Sequence, residues 1–311
     1  MVPKQANKRK TELKFYRFKV LFSMALLILS VILLIYALTN LFLNIDNETI
    51  ILKQPIELDD ITQDDSSSSS LPLKIDFQSV IDEWIGSYKG GNKSVIIYDL
   101  ENEDVVGKYN AKKNYNTASL YKLFVVYEGY RRLQSGVWEA DSRAGSTGRT
   151  IIECLDFAIR ESNSTCAETL WAKIGYNELD DIIENEYKIT NSSISNLVSN
   201  PVDIMKMMKI FYEHKDITDE KLLTIMRDSF LNQPKTTYDW RQGLPSGFKK
   251  SKVFNKVGWD YDADEKRWNI YHDAAIVETP DKKHHYIVVV MTNYVDYNAI
   301  SQLGSMIEKH F

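Results

Sequence analysis

The sequence predicts an α+β fold, a three-layer domain in which one antiparallel sheet is flanked by helices, with one N-terminal transmembrane helix added. Three observations predict it. Apolar alternation marks strands near both ends of the chain, at 94–100 and 105–109 and again at 253–257, 269–277 and 285–292. Between these groups the apolar residues take helical spacing, so a helical insert separates two parts of one sheet. A charge-free stretch, Val20 to Leu43, precedes everything and carries Tyr36 as its one ionisable side chain.

That stretch is long enough to span a hydrocarbon core, for which about 20 apolar residues suffice. A secretory signal peptide has a shorter apolar region of about 7–15 residues and a small-residue cleavage site, which Tyr36-Ala37-Leu38-Thr39-Asn40 does not resemble. Residues 1–19 form a basic tail with Lys4, Lys8, Arg9, Lys10, Lys14, Arg17 and Lys19 against Glu12. Cations on that side place the N-terminus in the cytoplasm and the rest outside, a single-pass topology anchored in the bilayer through 20–43. Residues 44–73 are acidic and contain the run Ser66 to Ser70, the composition of a flexible linker. A coil of that length reaches on the order of 30 Å.

The remaining 74–311 is enough for one large domain. Of the net charge of −5, about +6 falls in the tail, −6 in the linker and −5 in the domain, which has no basic block. Nucleic acid is therefore not an expected partner. Within the domain a helix is expected over 77–88, then a hairpin turning at 101–104 and a buried helix after Ser119. Helices are expected over 141–175, 178–186, 202–212 and 219–230, and a last helix over 298–310 follows the closing strands.

Chemistry is first suggested by Asn116-Thr117-Ala118-Ser119-Leu120-Tyr121-Lys122, which runs into the apolar block 123–127. Residues three apart share a helix face, so Ser119 and Lys122 can meet as nucleophile and base. A helix start also offers unpaired N–H groups and a partial positive charge to an oxyanion. Ser-x-x-Lys alone is a weak signal, because Ser246-Gly247-Phe248-Lys249 repeats it in a Pro/Gly turn. A serine near a helix start beside a lysine that snorkels is the bland alternative.

Cys154 and Cys166, the two cysteines, lie twelve residues apart. A helix over 151–160, a break at 161–164 and a second helix from Thr165 let the thiols approach across the corner as a disulfide. Two small buried hydrophobes are the alternative. Neither the cysteines nor the five histidines show metal-ligand spacing, so no metal or cofactor is expected.

Two further motifs follow in order: Ser162-Asn163-Ser164 at a helix boundary, then Lys256-Val257-Gly258 at a strand end, preceded by Leu244-Pro245-Ser246-Gly247-Phe248. With Ser119-x-x-Lys122 they resemble the S-x-x-K, S-D-N and K-T-G signatures of the penicillin-recognising serine hydrolases, the class A β-lactamases and D-alanyl-D-alanine peptidases. The resemblance covers the whole outer domain. It implies that Ser119 is acylated, that Lys122 is its base and that Ser162 shuttles a proton, a helix cap being the alternative for Ser162. It also implies that Gly258 admits substrate along the strand edge and that the N–H groups of Ser119 and Trp259 form an oxyanion hole. For Lys122 to act at neutral pH its pKa must fall by about 3 units, through burial or a second cation such as Lys256.

The departures are specific. Asn163 and Ser164 stand where the family has Asp and Asn, and Val257 replaces a hydroxyl residue that helps to hold the substrate carboxylate. A deacylating glutamate is represented only by Glu186, which also reads as the end of a solvated helix. The resemblance implies a serine hydrolase acting on a β-lactam or a cell-wall peptide of the D-alanyl type, and the apolar span makes it membrane-anchored and extracytoplasmic. The alternative is a catalytically impaired pseudoenzyme serving as a cell-surface binding module. Arg241 and Trp240 are expected near the cleft.

Overall fold

The computed structural model describes residues 75–234 and 239–311, so the expected tail, span and linker lie outside the described residues. Among the described residues no helix is long and apolar enough to cross a membrane.

Asn92–Asp99 (β1) and Asp104–Tyr109 (β2) form the first hairpin, and Lys252–Asp262 (β5), Arg267–Glu278 (β6) and His285–Asn293 (β7) complete the sheet. The order is β2-β1-β7-β6-β5, antiparallel throughout. A separate ladder joins Tyr115–Asn116 (β3) to Val198–Ser199 (β4).

Strand periodicity builds the three layers. On β7, Ile287, Val289 and Met291 enter one apolar cluster, whereas Tyr286, Val288 and Val290 enter the other. Both faces of this strand are covered, which is why its sequence is apolar almost without interruption. One face carries Gln78–Ser87 (α1) and Tyr297–Glu308 (α9), joined where Trp84 Nε1 donates to the Ala299 carbonyl at 2.7 Å. The other carries the helical insert: Tyr121–Gln134 (α2), Ile151–Arg160 (α3), Ser164–Ile174 (α4), Tyr176–Asn185 (α5), Pro201–Glu213 (α6) and Glu220–Leu231 (α7). A short helix, Leu244–Gly247 (α8), leads into β5.

The helix starts are encoded locally. Thr150 and Glu153 form a reciprocal capping box on α3, Asn200 caps α6 with Pro201 behind it, and Asp219 and Asp296 cap α7 and α9. The expected helix over 141–175 is corrected in its first part: 141–150 is a turn-rich loop, with Gly145 and Gly148 at positive φ, and helix begins only at Ile151. The expected break near 161–164 is present, and Cys154 and Cys166 are bonded across it with their Cα atoms 4.9 Å apart.

Candidate active site

Ser119 lies in a single 3₁₀ turn, Ala118–Leu120, that runs into α2 rather than inside the α-helix itself. The turn keeps residues i and i+3 aligned, so the expected approach survives: Lys122 Nζ lies 3.0 Å from Ser119 Oγ. Ala118, immediately before the nucleophile, has φ of 43°, a left-handed conformation that a residue with a Cβ adopts at a cost. Two contacts hold it. Asn116 Oδ1 accepts from the Ala118 N–H at 2.8 Å, and the Asn116 carbonyl accepts from His272 Nε2 at 2.8 Å.

His272 is fully buried on β6. Its Nδ1 accepts from the Thr292 N–H at 3.1 Å, which fixes the neutral tautomer with the proton on Nε2. Burial pushes its pKa down to about 4, so it stays neutral and ties the sheet to the nucleophile turn. Its sequence signal was faint: a polar residue on an otherwise apolar strand, opposite Gly258 in the β5–β6 register.

Lys122 is fully buried and reaches four oxygens. Besides Ser119 Oγ it approaches the Ser162 carbonyl at 2.6 Å, Ser164 Oγ at 3.1 Å and Ser162 Oγ at 3.3 Å. Burial holds its pKa down at about 7, opposed by the charge of Glu168. Of the two expected causes burial is the larger, and the two amines, which meet at Ser162 Oγ, disfavour each other's charge. Lys256 lies well below the ordinary lysine range, through burial first and the Lys122 charge second.

Lys256 does not touch Ser119. Its Nζ donates to Ser162 Oγ at 2.9 Å and to the Val257 carbonyl at 2.8 Å, so Ser162 Oγ lies between the two lysines. The cap reading of Ser162 is excluded because Asn163 caps α4, its Oδ1 accepting from the Cys166 N–H at 2.9 Å. Ser162 itself has φ of 53°, a second left-handed non-glycine residue at the site.

Gly258 brings β5 against the nucleophile turn. A Cβ there would stand 2.9 Å from the Thr117 carbonyl oxygen and 3.1 Å from Leu120 Cγ. The Gly258 carbonyl accepts from the Tyr297 hydroxyl at 3.1 Å, so α9 fixes this part of β5 from behind. Below it Asp273 is fully buried, accepting from Asn255 Nδ2 at 2.9 Å and the Leu244 N–H at 2.8 Å, and burial pushes its pKa up to about 7.

The sequence profile of the beta-lactamase enzyme family matches residues 76–311. The chain belongs to that family. As a family member it is a serine hydrolase of the penicillin-recognising type, and the motifs read from the sequence meet in one place. No curated protein matches the chain. Among solved structures, a beta-lactamase from Xanthomonas campestris pv. campestris is similar at a TM-score of 0.64 and 12% identity, covering 74% of this chain and 97% of its own. An ancestral class A beta-lactamase gives 0.63 at 16%, covering 76% and 100%. The class A representative from Bacteroides cellulosilyticus gives 0.63 at 14%, covering 75% and 98%. Identities this low speak for the fold alone.

In this beta-lactamase-family chain Glu186 stands apart from the Ser119 cluster, which corrects its reading as a deacylation base. Its Oε2 pairs with Arg131 at 2.7 Å, and Arg131 also pairs with the buried Glu128. Arg131 is nine residues beyond Lys122 on α2, about 14 Å along the axis. Arg241 is half-buried: its guanidinium donates to the carbonyls of Phe230 at 3.1 Å and Val253 at 3.0 Å and to Asn255 Oδ1 at 3.3 Å, bracing the start of β5. Trp240 stacks on Trp259, with ring centroids 5.4 Å apart.

Proposed function

We propose that this chain is a membrane-anchored, extracytoplasmic hydrolase that forms an acyl-Ser119 intermediate with a β-lactam or a D-alanyl peptide-type amide. The observation that carries this reading is the buried Lys122 amine, 3.0 Å from Ser119 Oγ with a pKa near 7. A base poised near the working pH is what general-base activation of a hydroxyl needs.

The neutral Lys122 amine takes the Ser119 proton as Oγ attacks the carbonyl carbon. The developing oxyanion faces the N–H groups of Ser119 and Trp259. As the C–N bond breaks, the proton travels from Lys122 to Ser162 Oγ, which gives its own proton to the leaving nitrogen. Lys256 donates to Ser162 Oγ throughout and stabilises it while it changes partners. Ser164 offers substrate a short hydroxyl, and Val257 offers none, so carboxylated β-lactams are held weakly at these two positions. The apolar run at 20–43 supports the anchor, and the basic tail supports an outward-facing domain.

The test is covalent labelling of the detergent-solubilised full chain with a fluorescent penicillin, read by intact mass. An adduct or hydrolysed product in the wild type, with neither in Ser119→Ala, is the expected result. Neither adduct nor hydrolysed product in the wild type identifies a binding module that keeps the fold without the chemistry.

A further inference from the structure

An acyl-serine enzyme that turns over needs a base for the attacking water, and the loop before α6 has no carboxylate to supply it. From Tyr187 to Ser199 the chain contains no acidic residue, and Glu186 is held by Arg131 far along α2. That loop is instead fastened from outside by two carboxylates. Asp180 accepts from the Ile194 N–H at 2.7 Å, and buried Asp203 accepts from the Asn191 N–H at 3.0 Å and from Ser192 Oγ at 2.9 Å. Both are engaged in holding backbone.

A different element presents a carboxylate to the site. On α4, Ser164, Glu168 and Trp171 follow the i, i+4, i+7 spacing of one helix face. The two ends of this stripe touch the first turn of α2: Ser164 Oγ lies 3.1 Å from Lys122 Nζ, and the Trp171 ring packs on Tyr121 with centroids 5.2 Å apart. Glu168 therefore stands over the same turn. Its Cα is about 6 Å along the axis from that of Ser164, and helical side chains lean toward the N-terminus, so its arm reaches back toward Ser164 and Lys122. Glu168 is exposed to solvent and has no hydrogen-bond or ion-pair partner among the described residues. Among the described residues, its charge is the carboxylate influence that raises Lys122. Asp273, the other acidic group near the lysines, is buried behind β5 and engaged by Asn255 and Leu244.

We propose that Glu168 is the general base of deacylation, supplied from helix α4 rather than from the loop that precedes α6. This rests on the acyl-serine reading above. A water between the carboxylate and the ester attacks the acyl carbonyl carbon and gives one proton to Glu168. The tetrahedral adduct collapses with cleavage of the carbon–Oγ bond, and Ser119 Oγ recovers a proton passed from the Glu168 carboxyl through the Lys122 amine. The product leaves as a carboxylic acid and ionises in solvent, with Glu168 and Lys122 restored.

The experiment measures acylation and deacylation separately, by intact mass and stopped-flow fluorescence, on the detergent-solubilised full chain with a penicillin and a chromogenic cephalosporin. Glu168→Gln keeps the size of this exposed side chain and removes the base. The expected result is acylation as fast as in the wild type and deacylation slower by about 10²–10⁴-fold, the usual worth of a general base, so that the adduct accumulates. Glu168→Asp recovers part of the rate. The acylation inflection of Glu168→Gln also moves to lower pH, because the charge that raises the Lys122 pKa is gone. Equal deacylation in Glu168→Gln and wild type overturns the proposal, as does a parallel fall in both steps or a wild-type adduct that persists. Absence of both adduct and hydrolysed product in the wild type and in Glu168→Gln removes the acyl-serine reading itself, and the role of Glu168 falls with it.

Discussion

Lys122 offers the sharpest test of the site, because its burial makes a quantitative claim about pH. Moving a lysine from 10.5 to about 7 corresponds to about 5 kcal/mol of unfavourable environment for the ammonium, at 1.36 kcal/mol per unit. At pH 7 about half of the amines are then neutral, against roughly one in 3,000 for an ordinary lysine, so the supply of base rises by about 10³. The second-order rate of penicillin labelling is expected to climb tenfold per pH unit below about 7 and to level off above it. Lys122→Arg, which cannot be neutral, gives no labelling. The same shift has a stability signature. Between pH 7 and 10.5 the unfolded chain binds more protons at this position than the folded one, so wild-type stability rises with pH across that window. Lys122→Met removes the buried charge and is expected to gain most at and below pH 7. Of the roughly 5 kcal/mol, about 1 is lost with each of three hydrogen bonds, leaving a gain of about 2 kcal/mol at and below pH 7 that passes through zero at about pH 8–9 and becomes a loss of about 3 kcal/mol above about pH 10.5. Labelling that keeps climbing to pH 10, or that is flat down to pH 5, refutes the reasoning.

Two further predictions concern the frame around the site. Gly258→Ala places a methyl 2.9 Å from the Thr117 carbonyl, so β5 and the nucleophile turn must part. Thermal melts should show a loss of about 1–3 kcal/mol, with labelling at least about tenfold slower. Replacing Cys154 and Cys166 together by serine removes a cross-link over a short loop, and denaturant titration should show a loss of about 3 kcal/mol on the chain-entropy estimate.

Much of this was readable from the chain, and the parts that were not share a cause. Strands β6 and β7 and the capped helices announce themselves by local periodicity and local hydrogen bonding, so their bounds fall within a few residues of expectation. Residues 141–150 misled because Ala140 and Ala144 keep helical spacing while Gly145 and Gly148 reverse the chain. Ser119 and Lys122 were legible because they are neighbours in sequence. The link from Ser162 to Lys256 crosses 94 residues and became visible only through the order of motifs, and its route through Ser162 rather than Ser119 required the sheet in place. His272 was missed because its partners, the backbone of residues 116 and 292, leave no trace in side-chain pattern. Glu186 misled for a similar reason, since proximity along the chain to a motif says nothing about which end of α2 a residue meets.

The Ser162 hydroxyl sits between an amine from the helical layer and one from the sheet. Catalysis and assembly are thereby made the same event. A nascent or partly melted chain whose helical layer has separated from its strands keeps Ser119 beside Lys122 but loses the link from Ser162 to Lys256. Proton delivery to a leaving nitrogen therefore waits until both layers have docked.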